Sequence, residues 1–318
     1  MNSRSEARHA APRPSFDETS REVPITAEER TIGLKSKAYF DRTLKRTAPW
    51  LIKNGQIRIV RPTSSMPRNG ADTPAAAPTG RGHISIDTLE HEVVSPLLGS
   101  VMFTFKRIED KLADFSGRSY DLFRNVWGIN NSYHQWSFEE NQHSDALSLI
   151  LERTGQLTRD VIDEDYYANL ALTWEPPFPT ARQMVVYAAF QEQLTSLNYQ
   201  ALAKRASEED APTVGQILTL IAQDEAYHGG GYRAFSRMYA DVDLDGTIAD
   251  ALHVGGNFRM PAQHLMRDRG RNSVEIVRVG AFSKTLVSEE TIYRVLQGLG
   301  FVPEQLARQT ADDYWKSE

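Results

Sequence analysis

The chain has 318 residues, 40% of them hydrophobic, which is enough to bury a sizeable core, and its net charge of −6 at pH 7 argues against nucleic acid binding. It contains no cysteine, which excludes disulfides, thiolate metal ligands and an internal iron–sulfur cluster, and which fits a reducing cytoplasmic location. It has no run of about 18 apolar residues and no apolar signal-peptide core, so we expect a soluble protein without a membrane span.

The N-terminal part differs in composition from the rest. Residues 1–24 are polar and aperiodic, and we expect a disordered arm there. Residues 25–61 are predicted to form a basic helical segment, with a helix over about 33–48, and residues 62–82 contain the prolines and glycines of a flexible loop. Residues 1–62 hold 13 Lys and Arg against 7 Asp and Glu. This basic stretch is either a solvated helix face or a docking surface for an acidic protein.

Residues 83–318 are predicted to form one helical domain. Apolar residues with a 3.6-residue period indicate four long helices, at roughly 85–116, 128–155, 179–206 and 213–239. Shorter helices are predicted near 159–170, 245–257, 273–298 and 302–315. Pro96 is expected to kink the first long helix. No series of alternating strands is apparent, so the predicted fold class is all-α.

Two short runs place a glutamate and a histidine three residues apart inside the long helices: Glu140 with His143, and Glu225 with His228. Positions i and i+3 share one helix face, so each helix can offer both side chains to one metal ion. Glu109 precedes Glu140 by 31 residues, and Glu192 precedes Glu225 by 33. The two halves of the domain therefore repeat the same pattern of candidate ligands.

The candidate ligands lie on apolar stripes of their helices. Ionised carboxylates there lose their hydration unless they are paired or coordinate a cation. One Glu from each of two helices and Glu-x-x-His from each of two others is the ligand pattern of ferritin-like di-iron and di-manganese bundles. We therefore predict a two-metal site, against the alternative that these residues flank the stripe in solvent or are ordinary core histidines. Gly229, Gly230 and Gly231 are expected to weaken or distort the helix just after His228.

The sequence around these ligands resembles the soluble acyl-acyl carrier protein desaturases. The similar segments are 136–145 (WSFEENQHSD), 190–195 (FQEQLT), 224–228 (DEAYH), 243–247 (DLDGT) and 260–266 (MPAQHLM). The sequence departs from the family pattern at Gln142 and Gln193, where the family has arginine, and at the glycines that follow His228. No departure removes a candidate ligand.

The resemblance covers about residues 84–315 and implies a ferritin-like four-helix bundle core with additional flanking helices and two iron ions per chain. It also implies a role for each ligand: Glu140 and Glu225 bridge the two irons, Glu109 and Glu192 each bind one, and His143 and His228 are terminal ligands. Thr195 would lie beside the oxygen-binding side of the cluster, and Asp224 would accept a hydrogen bond from a ligand histidine. Trp50 would match a tryptophan that begins an electron path.

The residues themselves leave plainer interpretations of the last three open. Thr195 could be a core threonine bonded to its own helix, because threonine often bonds to the i−4 carbonyl. Asp224 could be a surface carboxylate, and Trp50 could simply belong to the core.

The activity implied by the resemblance is the O₂-dependent introduction of a double bond into an acyl chain on acyl carrier protein, as part of fatty acid and lipid metabolism. Electrons would come from ferredoxin or a similar donor, and the protein would be a homodimer. A di-iron oxygenase of secondary metabolism, acting as a hydroxylase or N-oxygenase, and a metal-storage protein without turnover remain alternatives. A radical protein like ribonucleotide reductase is less favoured, because no tyrosine occupies an obvious radical position, although Tyr227 and Tyr232 keep it open.

Overall fold

The fold is known from a computed structural model that describes residues 25–40, 50–53, 56–59, 83–175, 177–262 and 269–316. The predicted arm at 1–24 and the predicted loop at 62–82 lie outside these residues. Much of the basic N-terminal stretch also lies outside them, so its role in docking stays a prediction.

Helices dominate the described part of the chain. In chain order they are α1 (Ala27–Tyr39), α2 (Pro96–Phe123), α3 (Trp127–Arg153), α4 (Arg159–Leu170), α5 (Ala181–Glu208), α6 (Pro212–Ala240), α7 (Leu244–Gly256), α8 (Arg269–Arg278), α9 (Lys284–Val287), α10 (Arg294–Leu299) and α11 (Glu304–Asp313). A π-helical stretch, Ser288–Tyr293, joins α9 to α10, and 3₁₀ turns cover Ile86–His91 and Tyr314–Lys316. The predicted all-α fold class is confirmed, and the four long predicted helices correspond to α2, α3, α5 and α6.

These four helices form the bundle core. Helix α2 packs along α3, α5 packs along α6, and the two pairs meet through α2 with α5 and α3 with α6, while α1 lies across α3 and α6. Their apolar faces form two buried clusters, one containing Phe105, Tyr199 and Ile221 and the other containing Trp136, Phe190 and Tyr232. Within the part of the chain that the structure describes, no helix is long and apolar enough to cross a membrane.

Pro96 begins α2 and does not kink it, so the expected kink was wrong. The Ser95 hydroxyl accepts a hydrogen bond from the Leu98 N–H at 3.2 Å and caps the helix. Proline is favoured in the first turn because its missing N–H would be unsatisfied there anyway. The predicted helix also starts too early, since the residues from His83 to Ser95 form a strand, a 3₁₀ turn and an extended link.

A small antiparallel sheet lies beside the bundle, in the order β1 (Trp50–Lys53), β2 (Gln56–Ile59) and β3 (His83–Ser85). The prediction of a helical segment over 25–61 is therefore correct for α1 and wrong for the two strands. The pairing of Lys53 with Gln56 leaves two residues between the strands, and the sequence there is Asn-Gly, a strong hairpin signal between β-branched residues. That signal was overlooked. Trp50, Ile57 and Ile84 attach the sheet to the core.

Helix α6 runs unbroken through the three glycines after His228, contrary to the expected distortion. A Cβ atom at Gly229 would lie 3.3 Å from the Glu192 Cβ, so the absence of a side chain lets α5 and α6 approach closely beside the candidate ligands. A Cβ atom at Gly230 would meet nothing within 4 Å. Close packing therefore accounts for Gly229, and no contact in the structure accounts for Gly230.

Gly230→Ala is expected to stabilise the protein by roughly 0.5–1 kcal/mol, because alanine is the better residue in a helix interior and the site has room for its methyl group. Gly229→Ala is the matched control and is expected to destabilise the fold, because its methyl group would press on Glu192. Urea denaturation of the two variants tests this prediction. A higher free energy of unfolding for Gly229→Ala than for Gly230→Ala would contradict the prediction.

Candidate metal centre

Six acidic and imidazole side chains converge between the four long helices. They are Glu109 on α2, Glu140 and His143 on α3, Glu192 on α5, and Glu225 and His228 on α6. All are buried, with no exposed surface except for 7% of His228. The structure thus brings together all six residues that the sequence predicted as metal ligands.

The six residues form two overlapping groups, in each of which four potential donor atoms lie within 4.8 Å of one another. One group contains Glu109 and His143, the other contains Glu192 and His228, and both contain Glu140 and Glu225. Two shared carboxylates between two groups are what a pair of bridged metal ions requires.

The two shared carboxylates divide their oxygens between the two imidazoles. The Nδ1 atom of His143 lies 3.4 Å from Glu140 Oε2 and 3.4 Å from Glu225 Oε1. The Nδ1 atom of His228 lies 3.4 Å from Glu140 Oε1 and 3.5 Å from Glu225 Oε2. Each shared carboxylate therefore presents one oxygen to each group, and both could bridge.

The other two glutamates each serve one group. Glu109 Oε2 lies 3.9 Å from His143 Nδ1, and Glu192 Oε2 lies 3.6 Å from His228 Nδ1. Metal bonds of about 2.0–2.2 Å place neighbouring ligand atoms at separations of this order. Each group thus supplies three carboxylate oxygens and one imidazole nitrogen, a donor set that suits iron or manganese.

The hydrogen-bond pattern fits metal ions at both groups. Eight atoms that could bind a metal ion are buried without a hydrogen-bond partner among the described residues. They are Glu109 Oε2, both oxygens of Glu140, His143 Nδ1, Glu192 Oε2, both oxygens of Glu225, and His228 Nδ1. Buried polar atoms are nearly always paired, so such a concentration of exceptions needs an explanation. These eight atoms are the ones that face the interior of the two groups, and two metal ions would satisfy them all.

Glu109 and Glu192, which each belong to one group only, have a second oxygen that accepts a hydrogen bond from an aromatic side chain. The Tyr199 hydroxyl donates to Glu109 Oε1, and the Trp136 indole Nε1 donates to Glu192 Oε1 at 2.8 Å. Only the inner oxygen of each glutamate is left for a metal. The sequence analysis did not predict this role, because Trp136 and Tyr199 match apolar stripes. The sequence does place both residues on the helix faces that carry the candidate ligands, because Tyr199 lies two turns after Glu192 and Trp136 lies one turn before Glu140.

The outer nitrogen of each histidine faces a buried carboxylate. His143 Nε2 lies 3.5 Å from Asp224 Oδ2, and His228 Nε2 lies 2.6 Å from Glu139 Oε2. Such partners fix the tautomer and orientation of ligand imidazoles. Asp224 is where the resemblance implied. Glu139 was missed, although it directly precedes Glu140 in the sequence.

Without metal, the four carboxyl groups divide into two kinds. Burial and the neighbouring carboxylates raise the pKa of Glu109 and Glu192 well above the ordinary value for glutamate. Burial also acts to raise the pKa of Glu140 and Glu225. The adjoining carboxyl groups of Glu109 and Glu192, together with the charge of His143, outweigh it and lower both. Glu109 and Glu192 are therefore the more readily protonated of the four.

Both imidazoles hold a proton more tightly than free histidine does, because the pKa of each is raised in the metal-free protein. Burial alone would lower the pKa of His143, but Glu140 and Glu225 raise it well above the ordinary value. Burial acts in the same way on His228, and the hydrogen bond to Glu139 and the neighbouring Glu140 carboxylate raise its pKa instead. Each imidazole lies between the shared carboxylates and one further buried carboxylate, Asp224 for His143 and Glu139 for His228.

Binding of divalent ions is expected to release protons, because Glu109, Glu192, His143 and His228 hold protons more tightly than the free side chains and must lose them to become ligands. Each of these groups has a raised pKa in the folded chain, so the affinity for metal should increase as pH rises. Titration with cobalt(II) in a weakly buffered indicator solution measures the release. A pH-independent affinity would contradict the prediction.

Thr195 is buried one turn after Glu192, and its hydroxyl donates to the Gln191 carbonyl at 2.8 Å. This is the plainer of the two interpretations made from the sequence, a threonine bonded to its own helix. The hydroxyl oxygen keeps its acceptor capacity. A role beside bound oxygen stays a prediction.

Trp50 is held by β1 against the metal-site histidine of α3. Its ring stacks on His143 with a centroid distance of 6.0 Å and an interplanar angle of 20°, and the side chain is 1% exposed. The small sheet therefore places an indole directly behind one candidate ligand. Whether electrons pass through it stays a prediction.

A partly open cavity lies beside the other candidate histidine, His228, between α3, α6 and the C-terminal end of α1. Its apolar wall consists of Phe40, Trp136, Tyr227, Tyr232 and Phe235. Gly231 contributes to the wall without a side chain. The cavity therefore reaches the group that contains Glu192 and His228.

Comparisons with known proteins agree with this geometry. A family model described as fatty acid desaturase matches residues 111–294. The chain is 30% identical over 135 residues to a chloroplastic stearoyl-[acyl-carrier-protein] 9-desaturase of Ricinus communis and 29% identical over 135 residues to a chloroplastic palmitoyl-[acyl-carrier-protein] 4-desaturase 3 of Ophrys sphegodes. Each alignment covers 42% of this chain and 34% of the relative, so the chain spans about a third of the length of the curated relatives it matches.

The matched region includes five of the six clustered residues and extends over more than half of the chain. The four-helix arrangement and the paired Glu-x-x-His helices lie within or beside it. The chain therefore belongs to the fatty acid desaturase family.

Proposed function

We propose that the protein binds two iron ions and uses O₂ to introduce a double bond into an acyl chain carried by acyl carrier protein. The observation that carries this proposal is the set of eight unpartnered donor atoms in two groups that share Glu140 and Glu225. In this proposal the shared glutamates bridge the irons, Glu109 and His143 complete one site, and Glu192 and His228 complete the other.

The chemistry that two iron ions supply in such a site is the reductive activation of dioxygen for removing hydrogen from unactivated carbon. The surrounding residues hold the ligands in place. Asp224 and Glu139 orient the histidines, and Tyr199 and Trp136 keep one oxygen of each terminal glutamate away from the metal. With four protein atoms per ion, positions remain for dioxygen.

The apolar core has a second role in the proposal, the exclusion of water. The two buried clusters enclose the six ligands, and a dry site protects reactive species from quenching. We place the approach of the substrate in the cavity beside His228, whose lining includes five aromatic side chains.

The substrate and partners in the proposal come from the relatives, whose names specify acyl-[acyl-carrier-protein] substrates. An acidic carrier protein would suit the basic N-terminal stretch by charge. The chain has no cysteine to hold an iron–sulfur cluster, and the proposal takes the electrons from a separate donor such as ferredoxin. Thr195 beside the oxygen site, a cytoplasmic location and a homodimer also belong to the proposal.

The function is tested by loading the protein with iron(II) without oxygen, then adding reduced ferredoxin, O₂ and a panel of acyl carrier protein thioesters. Mass analysis should show a product that has lost two hydrogen atoms. A product that has gained one oxygen atom would replace desaturation by hydroxylation, and unchanged thioesters throughout would overturn the proposal. Free acids of the same chain lengths are the control for dependence on the carrier.

A further inference from the structure

The two groups of the metal centre have matching ligands but differ in their outer donors, the side chains that donate a hydrogen bond to the outer oxygen of Glu109 and of Glu192. Glu109 receives its hydrogen bond from a phenol, Tyr199, whereas Glu192 receives its own from an indole, Trp136. Metal binding does not require this difference, since either donor occupies the outer oxygen equally well.

Tyr199 is placed close to the metal position beside His143. Its hydroxyl contacts Glu109 Oε1, and Oε2 of the same carboxylate lies 3.9 Å from His143 Nδ1. One carboxylate group therefore separates the phenol from an ion in that group. An electron leaving the ring has a short path to the ion, and the phenolic proton has an acceptor already in contact.

The surroundings of Tyr199 would preserve an oxidised ring. The side chain has no exposed surface, belongs to an apolar cluster with Leu202 and Ile221, and packs against Phe105 with ring centroids 5.4 Å apart. Phenylalanine is far harder to oxidise than tyrosine, so it does not pass the oxidation on. Water and dissolved reductants cannot reach the ring from solution.

The surroundings of Trp136 differ in this respect. Its ring lies 5.4 Å from that of Tyr133 and 6.5 Å from that of Tyr232, and it lines the cavity beside His228. An oxidised indole there could pass its oxidation to neighbouring phenols or to a molecule in the cavity. Of the two outer donors, Tyr199 is the one whose ring contact among the described residues is with phenylalanine alone.

We propose that Tyr199 is a redox-active residue that supplies one electron and one proton to the metal centre when dioxygen reacts in the absence of organic substrate. The proposal rests on the proposed di-iron site. Reduction of one O₂ to two waters takes four electrons and four protons. Two ferrous ions supply two electrons, a one-electron reductant supplies one, and the Tyr199 phenol supplies the fourth together with its proton. The other three protons come from solvent, and the phenol becomes a neutral tyrosyl radical.

This role gives Tyr199 a purpose beyond orienting Glu109. When O₂ reacts without substrate, the oxidation then stops at the buried phenol of Tyr199, and the metal ligands are not oxidised. From the sequence, Tyr227 and Tyr232 were the tyrosines left open for a radical role. The contact with Glu109 identifies Tyr199 instead.

The experiment mixes the iron(II)-loaded full-length chain with O₂ and limiting ascorbate, without acyl substrate, and freezes samples for electron paramagnetic resonance. The expected result is an organic radical signal that narrows when the chain is made with ring-deuterated tyrosine. Tyr199→Phe should bind two irons and lack the signal. Tyr187→Phe is the matched control, because Tyr187 is also a buried tyrosine on α5, with its hydroxyl donating to the Arg259 carbonyl at 2.9 Å. It should keep the signal.

Iron content, measured on the same samples, separates the two proposals. A chain that binds two irons and forms no tyrosine radical overturns the role of Tyr199 and leaves the di-iron site standing. A radical that persists in Tyr199→Phe also overturns that role. A chain that binds no iron overturns the proposed function, and the role of Tyr199 with it.

Discussion

Glu140→Ala is expected to abolish binding of both metal ions, whereas Glu109→Ala should abolish binding of one. Glu140 presents Oε2 to His143 and Oε1 to His228, so its removal takes a ligand from each group. Glu109 faces only the group of His143. Metal content after anaerobic loading with iron(II), measured by elemental analysis, should therefore be near two ions in the parent chain, one in Glu109→Ala and none in Glu140→Ala.

The control for this comparison is Glu152→Ala, which removes a partly exposed glutamate from the same helix and should leave metal content unchanged. Circular dichroism of the metal-free variants establishes that each is folded, so that a loss of ions can be assigned to the missing ligand. If Glu140→Ala retains both ions, the bridging role of that residue is wrong.

Asp110→Ala is expected to destabilise the protein by roughly 3–5 kcal/mol, because it leaves a buried ammonium without its partner. Lys106 is 1% exposed, and its Nζ lies 2.8 Å from Asp110 Oδ2. The same carboxylate accepts a hydrogen bond from the Ser144 hydroxyl at 2.5 Å and is contacted by the Asn169 amide at 3.5 Å. Asp110 thus joins α2 to α3 and α4 one residue from the ligand Glu109.

Denaturant unfolding measures this effect against two controls. Glu208→Ala breaks an exposed pair with Lys204 at the same i,i+4 spacing and should cost less than about 1 kcal/mol. The double substitution Lys106→Met, Asp110→Leu removes both charges and should restore most of the stability. A loss in Asp110→Ala no greater than that in Glu208→Ala would show that the buried pair contributes little.

The ligand positions were predictable because helix geometry alone fixes them. Glu140 and His143 must share a helix face at i,i+3, and the glutamates upstream lie on stripes that any bundle would bury. The outer contacts were not predictable in this way. Trp136 and Tyr199 satisfy an apolar pattern equally well as core residues, and their hydrogen bonds to Glu192 and Glu109 depend on how the helices pack.

The errors in the predicted fold have separate physical reasons. The helix prediction for 25–61 gave the basic residues more weight than the Asn-Gly pair, which predicts a hairpin. Pro96 was treated as a residue inside a helix, although a serine directly before it is the usual start of one. The glycines after His228 were judged by intrinsic propensity, which packing of α6 against α5 overrides.

The central claim is that two metal ions share Glu140 and Glu225. X-ray absorption at the iron edge, on the chain loaded to saturation with iron(II), tests it most directly. The expected result is saturation at two ions per chain, with nitrogen and oxygen neighbours only and an iron–iron distance of roughly 3.5–4 Å, as in other two-metal sites. Saturation at one ion, or two ions without an iron–iron contribution at that distance, would contradict the claim.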